Sequence, residues 1–267
     1  MKTNITVLEY VDNWKALLKQ SIALSKRVPS LFIIQVGSNE ASTRYVRNKI
    51  KDCESIGIEA ELLNLPESIT TESICNYIDA AVDADFDGII VQLPLPAHID
   101  KDQIIRHIPK DRDVDGFRND SVFTPCTPLG IINYLDYIGF QFAGKHAVIL
   151  GRSDIVGKPM AKLLQAYNCT TSLCNSKTPK ELRDKLLSVS DLVICAVGQR
   201  NFISSQDALN AFIVDVGINF DENGKLCGDV DVSVVDKDRV TPVPGGVGRL
   251  TRMALVHNVV ESALMKK

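Results

Sequence analysis

Short, almost unbroken apolar runs recur along the chain, separated by stretches with helical spacing. Leu31-Phe-Ile-Ile-Gln-Val36 and Gly88-Ile-Ile-Val-Gln92 lack the polar alternation of a half-exposed strand and are too short for helices, so each reads as a buried strand. Between them the pattern predicts a helix over 42–56 ending at Gly57, a strand over 59–64 and a helix over 71–83. Such an alternation builds a parallel sheet covered by helices on both faces. The pattern breaks from 109 to 128, where Pro109, Gly116, Pro125 and Pro128 punctuate a loop region. A second series follows, with strands over 147–150, 170–174, 191–196 and 211–216 and helices over 157–167 and 179–187. Its short βαβ units read as a small dinucleotide-binding sheet. The tail, 251–267, reads as an amphipathic helix that packs back on the first domain. The expected class is therefore α/β in two domains: 1–121 with the 251–267 helix, and a Rossmann-like 122–250.

Composition narrows the class of partner. The chain has 267 residues and a net charge of −3 with acids and bases intermixed, so no basic stripe suits a nucleic acid and no polybasic segment suits a membrane surface. No apolar run is long enough to span a bilayer, and the expectation is a soluble, cytosolic protein. The seven cysteines are scattered without a Cys-x-x-Cys pair and read as reduced thiols serving as small core residues. The four histidines (His98, His107, His146, His257) show no ligand spacing, and no metal is expected.

Candidate chemistry lies in both halves. In the second, Gly151-Arg-Ser-Asp-Ile-Val-Gly157 joins a strand to a helix, and small residues at 151, 153 and 157 allow a tight turn that brings amides and a helix N-terminus to a phosphate. The spacing departs from G-x-G-x-x-G, so a plain strand-to-helix turn fits equally well. At the end of the next strand, where a site for NAD normally offers an acid, stands Cys174-Asn-Ser-Lys177. With Ser176, Lys177 and Arg152 near and no carboxylate, a 2′-phosphate is favoured, hence NADP; the alternative is that both cations are ordinary solvated loop residues. In the first half, Tyr45-Val-Arg-Asn-Lys49 puts a ring and an ammonium on one helical face, Gln92 ends a strand at the carboxyl edge of its sheet, and Asp113 and Asp115 lie in the boundary loop. A lysine partly desolvated between a ring and an amide carbonyl is a usable acid and base; the bland reading is a solvated lysine on an amphipathic face.

These stretches, in this order, resemble the methylenetetrahydrofolate dehydrogenase/cyclohydrolase family over about residues 34 to 260. The resemblance rests on Tyr45–Lys49, Asp87–Pro96, Asp113–Gly116 with Pro125–Pro128, Gly151–Ser153 with Ile155–Gly157, Asp215–Ile218 with Gly228–Asp231, and Thr241-Pro-Val-Pro-Gly-Gly-Val-Gly248. It implies a bifunctional enzyme of one-carbon metabolism that passes a hydride from 5,10-methylenetetrahydrofolate to NADP⁺ and hydrolyses the methenyl product to 10-formyltetrahydrofolate. It implies further that Lys49 is the catalytic lysine, that Gln92 bonds to it, that Tyr45 stacks on the folate and that Asp115 holds the pterin. Val91 and Leu93 would line the substrate wall, and the loop Pro244, Gly245, Gly246, Val247 and Gly248 would close over it. Gly151, Arg152 and Ser153 would line the cofactor phosphates, Ser176 would reach the 2′-phosphate and Ile218 would sit by the nicotinamide. A homodimer through the second domain is implied as well. The chain departs from the family pattern in a short 117–124 segment, in Arg249-Leu250 where Pro-Met is usual, in Arg112 for a lysine and in Asn175 for a histidine. A shikimate-dehydrogenase-like oxidoreductase and a non-catalytic binding module are the weighed alternatives.

Overall fold

A computed structural model describes residues 6–25, 27–204 and 210–266. The chain divides into two compact units, one of Asp12–Cys126 with Arg252–Lys267, the other of Met1–Val11 with Thr127–Thr251.

After α1 (Val7–Leu24), the first unit builds β1 (Ser30–Val36), α2 (Glu40–Glu54), β2 (Glu59–Leu65), α3 (Thr71–Asp83), β3 (Gly88–Val91) and α4 (Lys101–His107). The three strands are parallel in the order β2-β1-β3, with Leu31 opposite both Ala60 and Gly88. Helix starts are chemically marked: the Asn39 side chain accepts from Ser42 N, Thr70 from Ser73 N and Asp100 from Gln103 N. Helix α2 ends where Gly57, at φ +94°, takes the left-handed conformation that reverses the chain into β2. Strand β3 is wholly buried, and Ile34, Ile74, Ile78, Ile89 and Ile104 form the core beside it. Strand β2, at the sheet edge, is exposed at Glu59, Glu61 and Asn64, so burial on both faces holds for β1 and β3 and not for β2.

The second unit continues from α5 (Cys126–Tyr137) into β4 (His146–Leu150), α6 (Gly157–Ala166), β5 (Thr170–Cys174), α7 (Lys180–Ser188), β6 (Leu192–Cys195) and β7 (Phe212–Asp215). Its sheet is parallel, in the order β5-β4-β6-β7. Val148, Leu150, Val193, Cys195 and Ile213 are buried together. A small antiparallel pair, β8 (Asn219–Phe220) and β9 (Leu226–Cys227), follows, and the chain ends in α8 (Val247–Met265).

Two helices differ from expectation, α8 in two respects. Helix α5 starts inside the stretch read as loop, because Pro128 falls in its first turn, where a missing N–H costs nothing. Helix α8 starts at Val247, so Val247 and Gly248 belong to its first turn rather than to the preceding loop. Nor is α8 amphipathic: no residue from 250 to 264 is exposed. Its buried polar side chains are satisfied by carbonyls, Asn258 on Val114 O and Ser262 on Asp87 O and Asp111 O.

Candidate active site

In an open parallel sheet, ligands bind beyond the carboxyl ends of the strands, where the strand order reverses. In the first unit that point lies between β1 and β3. Helix α2, which follows β1, carries Tyr45 and Lys49 one turn apart. Lys49 Nζ lies 5.2 Å from the centre of the Tyr45 ring and 3.7 Å from Asp115 Oδ1. Lys49 is only 4% exposed and Asp115 7%, so the pair is withdrawn from bulk water. Desolvation first, and then the charge of Asp115, pushes the Tyr45 phenol up, and it stays protonated as a donor.

Asp115 stands out among the buried aspartates. The Asp87 carboxylate accepts Ser30 N, that of Asp113 accepts Arg118 N, that of Asp215 accepts Gly217, Asp229 and Val230 N, and that of Asp229 accepts Val197, Gly198 and Gln199 N. Those four fasten loops. Among the described residues, Asp115 is the buried aspartate whose carboxylate takes no backbone N–H; it meets Lys49 Nζ and, at 3.9 Å, Cys126 Sγ. Two carboxylate oxygens have about four acceptor positions, so most of its capacity is open to a ligand. Asp113 beside it has its carboxyl pushed up, chiefly by desolvation and also by the charge of Asp115.

Gln92 sits at the edge as expected, its N–H bonded to Ile34 O, but the bond to Lys49 is not formed. Its Nε2 donates to Leu93 O at 2.7 Å, and Oε1 is buried without a partner. The carboxylate takes the place expected for the amide because the boundary loop folds back on α2. Val91, Leu93, Asp113, Asp115 and Phe117 line a small cavity next to this group.

In the second unit the carboxyl ends of β4, β5, β6 and β7 share one edge, which brings together Gly151–Ser153, Ser176, Val197 and Ile218. Gly151 has φ +105°, and a Cβ there would fall 2.2 Å from Ala196 O; one on Gly157 would fall 2.0 Å from Gly151 O. Both glycines are required by close backbone approach at the reversal between β4 and β6. Ser153 Oγ accepts from Val156 N and Gly157 N and so starts α6, whose first turn holds no acid. Arg152, Ser153, Ser176 and Lys177 are exposed, and Ile218 is 71% exposed. A glycine cradle, a helix start and cations without a competing carboxylate at the end of β5 fit a phosphorylated dinucleotide. In the loop before α8, Pro244 is exposed, Gly245 has φ +106°, and a Cβ on Gly246 would fall 2.3 Å from Pro242 O.

The sequence signature of the tetrahydrofolate dehydrogenase/cyclohydrolase catalytic domain matches residues 5–115, and that of the NAD(P)-binding domain of the same name matches 125–267. The chain belongs to the tetrahydrofolate dehydrogenase/cyclohydrolase family. A member from Lysinibacillus sphaericus, called bifunctional protein FolD, is 46% identical over 248 residues, which span 88% of this chain and 87% of that protein. The crystal structure of a bifunctional FolD enzyme from Campylobacter jejuni is 40% identical, covers 97% of both chains and superposes with a TM-score of 0.91. A family member from Trypanosoma brucei, complexed with NADP cofactor and an inhibitor, is 30% identical, covers 98% of this chain and 97% of its own, and has a TM-score of 0.90.

Sequence reasoning left two groups without a role. Asp215 and Asp229 lie in segments that carry the family resemblance, yet their carboxylates reach Gly228 and Gly217 so closely that a Cβ would fall within 1.9 Å and 2.2 Å of them. The signal was the pairing of each aspartate with a distant glycine. Asn258, on α8, gave no local signal.

Proposed function

We propose that this chain oxidises 5,10-methylenetetrahydrofolate to the 5,10-methenyl form with NADP⁺ and hydrolyses that product to 10-formyltetrahydrofolate. The observation that carries the reading is the grouping of buried Lys49 and Asp115 with the half-buried Tyr45 ring, with an open carboxylate, at the strand reversal of a chain of this family. NADP supplies the hydride acceptor, and Gly151, Arg152, Ser153 and Ser176 would hold its phosphates while Ile218 would border the nicotinamide.

The open acceptors of Asp115 and Gln92 suit the amino and ring N–H donors of a pterin, and the Tyr45 ring offers a stacking face. Val91 and Leu93 would form the wall, and Pro244–Gly248 would cover the bound folate. Loss of hydride from the methylene bridge leaves a cation delocalised over two nitrogens, a step that mainly needs the rings held in contact. In the hydrolysis, water oxygen adds to the bridging carbon, the bond from that carbon to N5 breaks, and the oxygen gives up both its protons as the formyl C=O forms, one ending on N5 and the other in solvent. Lys49 Nζ is the group placed to move protons in that sequence.

The test is absorbance of the methenyl product during turnover with NADP⁺ and, separately, NAD⁺, for wild type and Lys49→Ala. Turnover that prefers NADP⁺, with methenyl hydrolysis lost in the variant, is the expected result. No methenyl formation with either cofactor sinks the assignment.

Among the described residues no helix is long and apolar enough to cross a membrane. We further propose a cytosolic homodimer formed through the nucleotide-binding unit, a reading supported by the family resemblance and tested by sedimentation equilibrium.

A further inference from the structure

The two partners of the Lys49–Asp115 pair come from separate segments, and α8 touches both. Arg252 Nε lies 2.6 Å from Asp52 Oδ2, and Asp52 sits on α2 less than one turn after Lys49. Asn258, 2% exposed, is directed at the aspartate loop. Its Nδ2 lies 2.8 Å from Val114 O, the carbonyl between Asp113 and Asp115, 3.2 Å from Thr124 O and 3.7 Å from Cys126 Sγ. Cys126 closes the ring: its N–H donates to Asp115 O at 3.3 Å, and its Sγ meets Val114 O at 3.2 Å.

We propose that Asn258 is a positioning residue which, by holding the Val114 and Thr124 carbonyls, sets the Asp115 carboxylate against Lys49. It touches no reacting atom and acts through Asp115. The Asp115 side chain has no backbone N–H to orient it, so the position of its main chain decides where the carboxylate lies. An amide with two N–H donors is suited to this task, because one group spans two carbonyls from opposite ends of the 114–124 loop. The inference rests on the proposed role of Lys49 and Asp115.

The test uses Asn258→Leu and Asn258→Ser, each in the wild-type and the Asp115→Asn background, with kcat and KM for methenyl hydrolysis and the Kd for NADP⁺. In the wild-type background, loss of the bridge should lower kcat/KM for hydrolysis about tenfold to a hundredfold, the range for a small misplacement of a reacting group. In the Asp115→Asn background the same change should have little further effect, and NADP⁺ affinity should hold in all variants. Equal fold losses in both backgrounds, or no loss in the first, overturn the inference and leave Asn258 an ordinary buried amide. If Asp115→Asn by itself leaves turnover unchanged, the underlying reading fails and this one falls with it. Melting curves accompany each variant; should Asn258→Leu fail to fold, the smaller Asn258→Ser carries the comparison.

Discussion

Removing one member of the Lys49–Asp115 pair leaves the other charge buried. At 3.7 Å, with an effective dielectric of about 20, the attraction is ~4.5 kcal/mol before desolvation is counted. Burial of both groups offsets part of that, so the net value of the pair is smaller than the gross figure. Breaking it from one side is another matter, because the remaining charge keeps its desolvation cost and loses its partner. Lys49→Met and Asp115→Asn should each destabilise the first unit by about 3 kcal/mol. The double variant should cost less than the sum, with a coupling of about 2 kcal/mol. Trp14 is the sole tryptophan, 7% exposed, and its ring lies 5.5 Å from that of His257, so its fluorescence in a urea titration reports this unit. Because the pair is shielded from water, the coupling should persist in 1 M salt, where the screening length is about 3 Å and exposed pairs fade. A coupling below about 0.5 kcal/mol, the usual limit of additivity for independent sites, would refute the pairing and with it the electrostatic account of the site.

The second unit and the middle of α8 give two further predictions. The Asp229 carboxylate accepts four N–H groups, from Val197, Gly198, Gln199 and the Asn219 amide, at 2.7 to 3.0 Å. Asp229→Ala orphans them and should destabilise by on the order of 4 kcal/mol while weakening NADP⁺ binding; melting with and without NADP⁺ checks this, and a loss under about 1 kcal/mol contradicts it. Burial holds His257 below its ordinary value of 6.5, against an opposing pull from Glu261. The unfolded chain therefore takes the proton first, so stability should fall as pH drops below about 6.5 and keep falling until the folded state also protonates. His257→Phe should remove that slope between pH 6.5 and 5 in urea titrations, and an unchanged slope would assign the loss to other groups.

The central strands β1, β3, β4, β6 and β7 were legible because each is a short apolar run, and the shared face of Tyr45 and Lys49 was legible because helical spacing is local. What the sequence did not reveal came from contacts between distant segments. The Lys49 partner is Asp115, a residue far along the chain, and no periodicity announces that the boundary loop returns to α2. Gln92 was placed correctly at the sheet edge, yet its side-chain torsion turns Nε2 to the adjacent Leu93 carbonyl, a choice that sequence spacing cannot decide. Helix α8 was misread for a related reason: Asn258 and Ser262 look like a polar face, and only the carbonyls that meet them make burial tolerable.

The buried aspartates give a physical criterion that separates scaffold from site. A carboxylate removed from water must be compensated, and backbone N–H groups do this at fixed geometry wherever a loop needs fastening. Asp113, Asp215 and Asp229 follow that rule, Asp87 combines the Ser30 N–H with ion pairs to Arg27 and Lys266, and Gly217 and Gly228 are glycines because carboxylates occupy the space of a side chain. Among the described residues Asp115 takes no backbone N–H and is compensated by a lysine on a flexible stem, a partner that can shift and admit a ligand to the same oxygens. Asp115 therefore differs from the other buried aspartates in leaving its carboxylate to a lysine and to no backbone N–H, and the proposed role of the Lys49–Asp115 pair rests on that difference.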